Sequence, residues 1–430
     1  MKLKKLLSLV IALAIFTSLP LALTSAQSSP TNDTLARNQY EANIAYNNIL
    51  SSFLTTDNEY QYNDNYAGAY LNPSGNLVIL ITTRSDVQES QVSYGESKSN
   101  VLTDAVSTGS TAFKNMTDEF ISAAQELYEL TGAGKETNIL FQEATYSYKY
   151  LRSTFDKTGE VFLRTEENPY RSVLPPVAFM GIDDEKNCIY IGIVDINNEK
   201  IEQVLSIIGN KELYRFENAD GCPEQFLNCY AGDVVDGDTI TAGILRGSIG
   251  YRARRYDSSL NTYQYGFVTA GHLISKNTVA KKSSTRIGVC RDSKNDTSLD
   301  AAFVETDTGW DMQAVTTNGY NITALLQLPG KNTEVFKEGQ ATGRSYGVVT
   351  ATCTRYYYNN YASYTDNVIE TSCNGASGDS GGIVYTNSNV VAGIVLGGVL
   401  NTADNTWHLW AAATTVIYQG LGGSNSVIPW

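Results

Sequence analysis

Apolar and polar positions follow two different rhythms along this chain. Over roughly residues 27–228, helical and strand periods take turns. Asn32-Asp33-Thr34-Leu35 offers a helix start, and the helical pattern runs on to about Phe53. The apolar run Leu77-Val78-Ile79-Leu80-Ile81-Thr82 follows the turn signal Asn72-Pro73-Ser74-Gly75 and predicts a strand. From Ala112 to Leu130, Phe113, Met116, Phe120, Ile121, Ala124 and Leu127 recur at helical spacing, with acids between them. Cys188 to Val194 predicts a second strand, followed by a helix at Ile201 to Ile208 and a strand near Glu212 to Phe216. Two loosely similar units begin near Gly75 and Asp184. Such alternation indicates an α+β domain.

From about Asn228 the rhythm changes to short, β-branched, glycine-bounded runs. Strands are expected at Thr239–Ile244, Ser248–Arg252, Tyr265–Thr269, Ala301–Val304, Gly347–Cys353, Val368–Ser372, Gly382–Tyr385 and Val390–Leu396. Their regular spacing with turn residues between them predicts an all-β barrel or sandwich, and Thr414 to Leu421 predicts a closing helix.

Composition narrows the function classes. With 430 residues, 42% of them apolar, the chain can bury two or three cores. Its formal charge of −14 disfavours nucleic acid and anionic membranes as partners. Met1-Lys2-Leu3-Lys4-Lys5 is a basic start, Leu6 to Phe16 is apolar, and Thr24-Ser25-Ala26 supplies small residues for a signal-peptidase site. Residues 1–26 therefore read as a signal peptide of a secreted, extracellular protein. The six cysteines suit an oxidising compartment, and their spacing fits no common zinc pattern. Cys353 and Cys373 flank a tyrosine-rich turn and are expected to pair across two antiparallel strands. Cys222 and Cys229 would close a small loop. Cys188 and Cys290 remain as free thiols or as a tether between the two parts.

The chemistry concentrates at three places in the second half. Gly378-Asp379-Ser380-Gly381-Gly382 sets a serine on a tight, glycine-flanked turn before an apolar strand. A free serine hydroxyl is protonated at neutral pH, so a neutral imidazole within reach must take its proton during attack. The chain has two histidines. His272 follows a strand and Gly271, which suits a base at a cleft. His408 sits within Trp407-His408-Leu409-Trp410 and reads as a buried or pocket-lining histidine. Asp300 precedes the apolar Ala301-Ala302-Phe303-Val304 and has one foot in the core, as a residue that fixes an imidazole tautomer must. The N–H groups of Gly378 and Ser380 are expected to converge on a developing oxyanion. Asp379 reads as a structural partner, for instance of a new N-terminal ammonium. An EF-hand reading of Asp292 to Asp300 fails for want of its glycine and terminal glutamate. The run Arg355 to Tyr361 reads as a hairpin tip, with an aromatic binding surface as the competing reading.

Thr269-Ala270-Gly271-His272, Asp300-Ala301-Ala302-Phe303-Val304, Gly339-Gln340-Ala341-Thr342-Gly343 and the Ser380 turn resemble the signature blocks of chymotrypsin-like serine peptidases, in particular the bacterial streptogrisin and α-lytic protease branch. The resemblance covers residues 229–430. It implies a trypsin-like double β-barrel with His272 and Asp300 on one barrel and Ser380 on the other. It also implies that residues 27–228 are a pro-region that assists folding and holds the enzyme inactive in cis. The implied activity is endopeptidase hydrolysis of peptide or protein substrates through an acyl-enzyme, by a monomer without metal or organic cofactor. The pocket would be edged by Asn374, Gly375, Gly397 and Gly398. Asn374 stands where trypsin-like enzymes carry an aspartate, so the pocket is neutral; a histidine at its base, His408, would instead favour acidic residues. The sequence departs from the family at Leu273, where a cysteine is common, and at Leu396, where a serine commonly supports the aspartate. These two leucines feed the rival reading, a non-catalytic protease-fold module that binds peptides or cell-surface components. The pro-region junction is expected near Asn228 to Asp233.

Overall fold

In a computed structural model of the chain, described for residues 30–55, 59–83, 117–133, 137–225, 235–236, 239–242, 245–282, 284–358, 361–402, 404–421 and 427–430, contacts divide the chain into two units, Met1–Leu35 and Ala36–Trp430. The second unit is described below. The signal-peptide segment, Phe113, Met116, Cys229 and the expected junction at 228–233 lie outside the described residues.

Helix α1 (Pro30–Phe53) buries Ala42, Ala45, Tyr46, Ile49 and Phe53, a stripe at helical spacing. A hairpin follows, of β1 (Tyr66–Leu71) and β2 (Leu77–Ile81). Its turn forms because Asn72 Oδ1 accepts the N–H groups of Ser74 and Asn76, both at 3.0 Å. Helix α2 (Asp118–Thr131) starts at Thr117, whose hydroxyl accepts the Phe120 N–H, and stops at Gly132 with φ 58°. Strand β3 (Ile139–Glu143) then returns parallel to β2, and helix α3 (Tyr148–Val161) leads away. The same unit now repeats. β4 (Val177–Asp183) and β5 (Cys188–Val194) form a hairpin, α4 (Asn198–Ile208) crosses over, and β6 (Tyr214–Ala219) returns parallel to β5. The similarity seen near Gly75 and Asp184 is thus two ββαβ units. Asn187 joins them: its side chain accepts the N–H groups of Thr145 and Tyr146 and donates to the Ala67 and Tyr146 carbonyls.

The C-terminal half is built on two large sheets. In the first, Leu245–Ser248, Thr239–Ala242, Val279–Lys282, Thr285–Asn295, Asp300–Thr306, Thr262–Thr269, Arg252–Asp257 and Val427–Pro429 lie side by side in that order. Leu245–Ser248 and Arg252–Asp257 stand near opposite ends of this sheet but are consecutive in the chain, which closes it into a barrel. The expected strand Ser248–Arg252 is therefore the bend between two strands. At Gly250 a Cβ would come within 2.3 Å of Ile394 Cγ2 and 2.8 Å of two backbone carbonyls. In the second sheet Glu334–Gly339, Ile383–Thr386, Val391–Asn401, Thr406–Ala413, Ser363–Thr371 and Gly343–Tyr358 follow one another, and the last pairs back to the first. That closes a second, six-stranded barrel. The fold is a trypsin-like double β-barrel behind an α+β region.

The halves are joined by backbone pairing. β4 adds antiparallel to the long hairpin strand of the second barrel, with Phe179 opposite Tyr356 and Gly181 opposite Thr354. Along α1, Gln39, Asn43 and Asn47 stand four residues apart and bind the segment that enters the second barrel. Asn47 Oδ1 accepts the Leu328 N–H at 2.9 Å, Asn43 Oδ1 the Gly330 N–H at 2.7 Å, and Gln39 Oε1 the Glu334 N–H at 3.1 Å. The tyrosine-rich run lies under this joint. Tyr356 and Tyr357 are buried, the first stacked on Trp410 and the second donating to the Gly159 carbonyl. Tyr356, Tyr357 and Tyr358 are packing rather than an exposed aromatic surface.

The expected Cys353–Cys373 bond does not form. Their strands do pair, but Ala351 lies opposite Glu370 and Val349 opposite Thr371, so Cys373 falls beside Gly347 and away from Cys353. Both are buried thiols, and Arg152 Nη1 donates to Cys353 Sγ at 2.8 Å. Cys188 and Cys290 are free as well, so neither tethers the halves. The Cys222–Cys229 pairing reaches outside the described residues.

At the turn after β4, Asp183 binds Arg215 and Lys331, the latter from the C-terminal half. Its neighbour Asp184 is buried, accepts the Thr352 hydroxyl at 3.1 Å on Oδ2, and has no partner on Oδ1. Burial raises its carboxyl to about 7, partly offset by Lys331. The native state then holds this proton more tightly than the unfolded chain, whose carboxyl titrates near 4. Stability contributed here is full below about pH 4, falls as pH rises to about 7, and is flat above. Denaturant unfolding of the full chain should show this fall. Asp184→Asn, which keeps an acceptor for Thr352, should remove it and gain at least about 1 kcal/mol at pH 8.

Candidate active site

His272 lies in a short 3-10 turn, Gly271–Leu273, directly after the strand Thr262–Thr269. Gly271 is required there, since a Cβ would come within 1.7 Å of the Lys294 carbonyl on the strand that leads to Asp300. That closeness brings the two side chains together. His272 Nδ1 lies 2.6 Å from Asp300 Oδ2, and the His272 backbone N–H donates to Asp300 Oδ1 at 2.9 Å. Asp300 is fully buried. The second contact holds the carboxylate from the histidine's own backbone, so Asp300 is anchored although Leu396 brings no hydroxyl.

On the other side, His272 Nε2 lies 3.0 Å from Ser380 Oγ. The three side chains come from both barrels and meet in one line. Ser380 Oγ also lies 2.8 Å from the Leu396 carbonyl, to which it donates. A hydroxyl has one hydrogen, so transfer to the imidazole requires it to turn from Leu396 to His272. The turn around Ser380 depends on its glycines. Gly378 has φ 109° and Gly381 φ 82°, and a Cβ on Gly381 would come within 2.2 Å of Thr269 Oγ1 and 2.3 Å of the Ser248 carbonyl. The N–H groups of Gly378 and Ser380 take no partner from the described residues, as donors kept for an oxyanion would.

Asp379 is a structural partner as expected, but of a lysine rather than of an N-terminal ammonium. Its carboxylate pairs with Lys337 Nζ at 2.8 Å, and both side chains are fully buried. It also accepts the N–H groups of Ala341 at 2.9 Å, Thr342 at 3.1 Å and Ala376 at 3.1 Å, and the Thr342 hydroxyl at 2.6 Å. No N-terminal ammonium is needed, because a lysine of the same barrel supplies the charge. Sequence reasoning noted the Gly339 to Gly343 motif without its purpose, which is to aim two N–H groups at Asp379. It missed Lys337 and Ser248. Ser248 Oγ donates to the Gly378 carbonyl at 2.8 Å and accepts the Gln340 N–H at 3.0 Å.

Of the expected pocket residues, Gly397 and Gly398 lie on the strand that runs past Ser380. A short strand β7 (Glu224–Gln225) pairs with them antiparallel. Asn374 and Gly375 precede the nucleophile turn, and the Asn374 carbonyl accepts the Ser345 hydroxyl at 3.1 Å. His408 is buried, its Nδ1 3.0 Å from Glu370 Oε1. Burial opposes charge on both, yet Glu370 raises the imidazole pKa, while His408 and the Tyr190 and Thr350 hydroxyls hold the Glu370 carboxyl below its usual range.

Residues 31–106 match the family model described as a Pro-like N-terminal domain. No curated protein matches the chain. Among solved structures, Cellulomonas bogoriensis chymotrypsin is 25% identical, with 46% of this chain and 99% of that one covered and a TM-score of 0.38. Thermobifida fusca protease A is 21% identical, covering 46% and 100%, with a TM-score of 0.38. A glutamic-acid-specific serine protease that uses a histidine triad in substrate binding is 24% identical, covering 46% and 100%, with a TM-score of 0.39. The chain is similar to bacterial chymotrypsin-like peptidases that carry a pro-region.

Removing Lys337 tests the internal ion pair. Lys337→Met leaves a buried charge uncompensated, so unfolding should become easier by about 3–5 kcal/mol. Thermal melting should show a lower midpoint; an unchanged midpoint contradicts the assignment.

Proposed function

We propose that the chain is the precursor of a secreted serine endopeptidase that hydrolyses peptide bonds through an acyl-enzyme. The observation that carries this reading is the His272 ring, held by Asp300 on one nitrogen and 3.0 Å from Ser380 Oγ on the other. In the reaction Ser380 Oγ attacks the scissile carbonyl carbon while His272 Nε2 takes its proton. Asp300 stabilises the imidazolium, and the Gly378 and Ser380 N–H groups receive the oxyanion. His272 then returns the proton to the leaving amine, and water, activated by the same imidazole, frees the acid. The basic, apolar start of the sequence supports export.

Supporting a closed precursor, β7 covers Gly397 and Gly398, the edge a substrate backbone would use. Acidic specificity of the kind named for the glutamic-acid-specific relative would call on three histidines. This chain has two, one in the triad and one engaged by Glu370. The pocket is read as neutral.

Ser380→Ala should abolish hydrolysis of a peptide library while leaving the melting midpoint within a few degrees. Asp300→Asn, which lets the wrong tautomer form, should lower kcat by about 10⁴. Wild-type hydrolysis by Ser380→Ala would overturn the reading in favour of the non-catalytic module.

A further inference from the structure

The hairpin of Arg252–Asp257 and Thr262–Thr269 has one face of cations and rings. Along the first strand Arg252, Arg254 and Tyr256 alternate with Ala253, Arg255 and Asp257, and directly opposite residues of paired strands point the same way. With Arg254 opposite Tyr265 and Tyr256 opposite Tyr263, the two arginines and three tyrosines share a face. Trp430 extends the row, its ring centroid 4.5 Å from that of Tyr265. Tyr263 and Tyr265 are 42% and 43% exposed, and Trp430 37%. Arg252 Cζ lies 4.0 Å from the Trp430 ring centroid and Arg254 Cζ 4.7 Å from that of Tyr263, so both guanidinium groups rest on rings. The acids fall on the other face, where Asp257 accepts the Gln264 amide, Asp292 meets Arg255 and Glu305 meets Arg291. Arg252 donates to backbone oxygens of Trp430 and Met312. The Arg254 side chain makes neither an ion pair nor a hydrogen bond with any described residue, and its Nε is buried without an acceptor.

We propose that this face binds an acidic polysaccharide, with uronate carboxylates on the two arginines and sugar rings laid against the tyrosines. An arginine stacked on a ring has lost much of its freedom before any ligand arrives, and its fork matches a carboxylate. The fold leaves the charge of Arg254 uncompensated, so a bound carboxylate gives it the counter-ion it lacks. Exposed tyrosines offer flat apolar faces with a polar rim, which suits the C–H face of a sugar. A polypeptide is disfavoured as the occupant, because Arg254 lies between paired strands. Its strand is bonded on one side to Thr262–Thr269 and on the other to Val427–Pro429, with Ile428 opposite Arg254. No further strand can add there, so a ligand meets side chains alone. The net charge of −14 does not cancel the attraction, since exposed charges more than about 8 Å apart are largely screened at physiological ionic strength. None of these side chains belongs to the triad or the oxyanion turn, so the site tethers the chain to its matrix without entering the chemistry.

Calorimetric titration of the full chain with hexagalacturonate, with a neutral galactose hexamer and with polyglutamate tests the site. Hexagalacturonate should bind, more weakly as salt is raised, and the neutral hexamer at least about 10-fold less tightly. Arg254→Gln should lower the affinity for hexagalacturonate by about 10-fold or more, and Arg254→Lys, which keeps the charge, by less. Both variants should keep the wild-type melting midpoint and the wild-type rate on a short peptide. Wild type that binds no hexagalacturonate, or binds polyglutamate equally well, overturns the proposal. So does Arg254→Gln that binds at wild-type strength. The wild-type titrations decide the matter even if Arg254→Gln melts early. They read binding alone, so their failure leaves the peptidase reading in place, and a chain that hydrolyses nothing leaves the binding result in place.

Discussion

A carboxylate with no access to water organises the C-terminal half. Asp379 is neutralised by Lys337 and receives three backbone N–H groups and a hydroxyl, so the residues on either side of it have little freedom. Ser380 follows it directly and Gly378 precedes it. Breaking the ion pair would leave one charge buried and unpaired, which costs more than the pair itself contributes. The oxyanion turn is thereby held in shape from inside the barrel, whatever the state of the chain's N-terminus. Ser248 and Thr269 extend this support to the first barrel through the Gly378 carbonyl and the Ser248 carbonyl. The nucleophile is thus aligned with an imidazole that belongs to the other barrel.

The N-terminal half adds to this machine as further sheet and further core. β4 continues the second barrel's sheet, and Phe179 and Tyr190 enter the apolar cluster that also holds Trp410, Tyr356 and Leu396. Tyr190 donates to Glu370 at 2.8 Å, so a buried carboxylate of the C-terminal half counts on a hydroxyl from the other. Separating the halves would expose apolar surface and strip a charged acceptor of one partner. The contact is consequently costly to lose. Asp184 works against it, since its charged form sits in the same joint with an unmet oxygen.

Much of the site could be read from the sequence because its residues are adjacent to strong local signals. Gly271 and Gly381 mark places where backbones nearly touch, and Asp300 borders an apolar strand that must be buried. Lys337 gave no such signal: a lysine in Glu334–Gly339 looks like an exposed strand position, and only the closed barrel turns it inward. The Cys353–Cys373 expectation failed for a related reason, since hairpin register depends on bulges between Val349 and Tyr356 that spacing does not announce. The strand expected at Ser248–Arg252 straddled a bend for want of any hint of where the barrel turns its corner. In the N-terminal half, α3 carries Tyr148, Leu151 and Phe155 at helical spacing behind a Ser147 cap, and β4 is a continuous buried apolar run, so both had local signals although neither was among the expected elements.

Nuclear magnetic resonance of the ¹⁵N-histidine-labelled protein tests the central arrangement most directly, because the chain has two histidines and the spectrum holds two rings. With Asp300 accepting from Nδ1 and Ser380 facing Nε2, the neutral His272 ring must carry its proton on Nδ1 and leave Nε2 bare. Asp300→Asn should move that proton to Nε2 or mix the two forms. A wild-type His272 ring protonated on Nε2, or averaging between tautomers like an imidazole in water, would contradict the account.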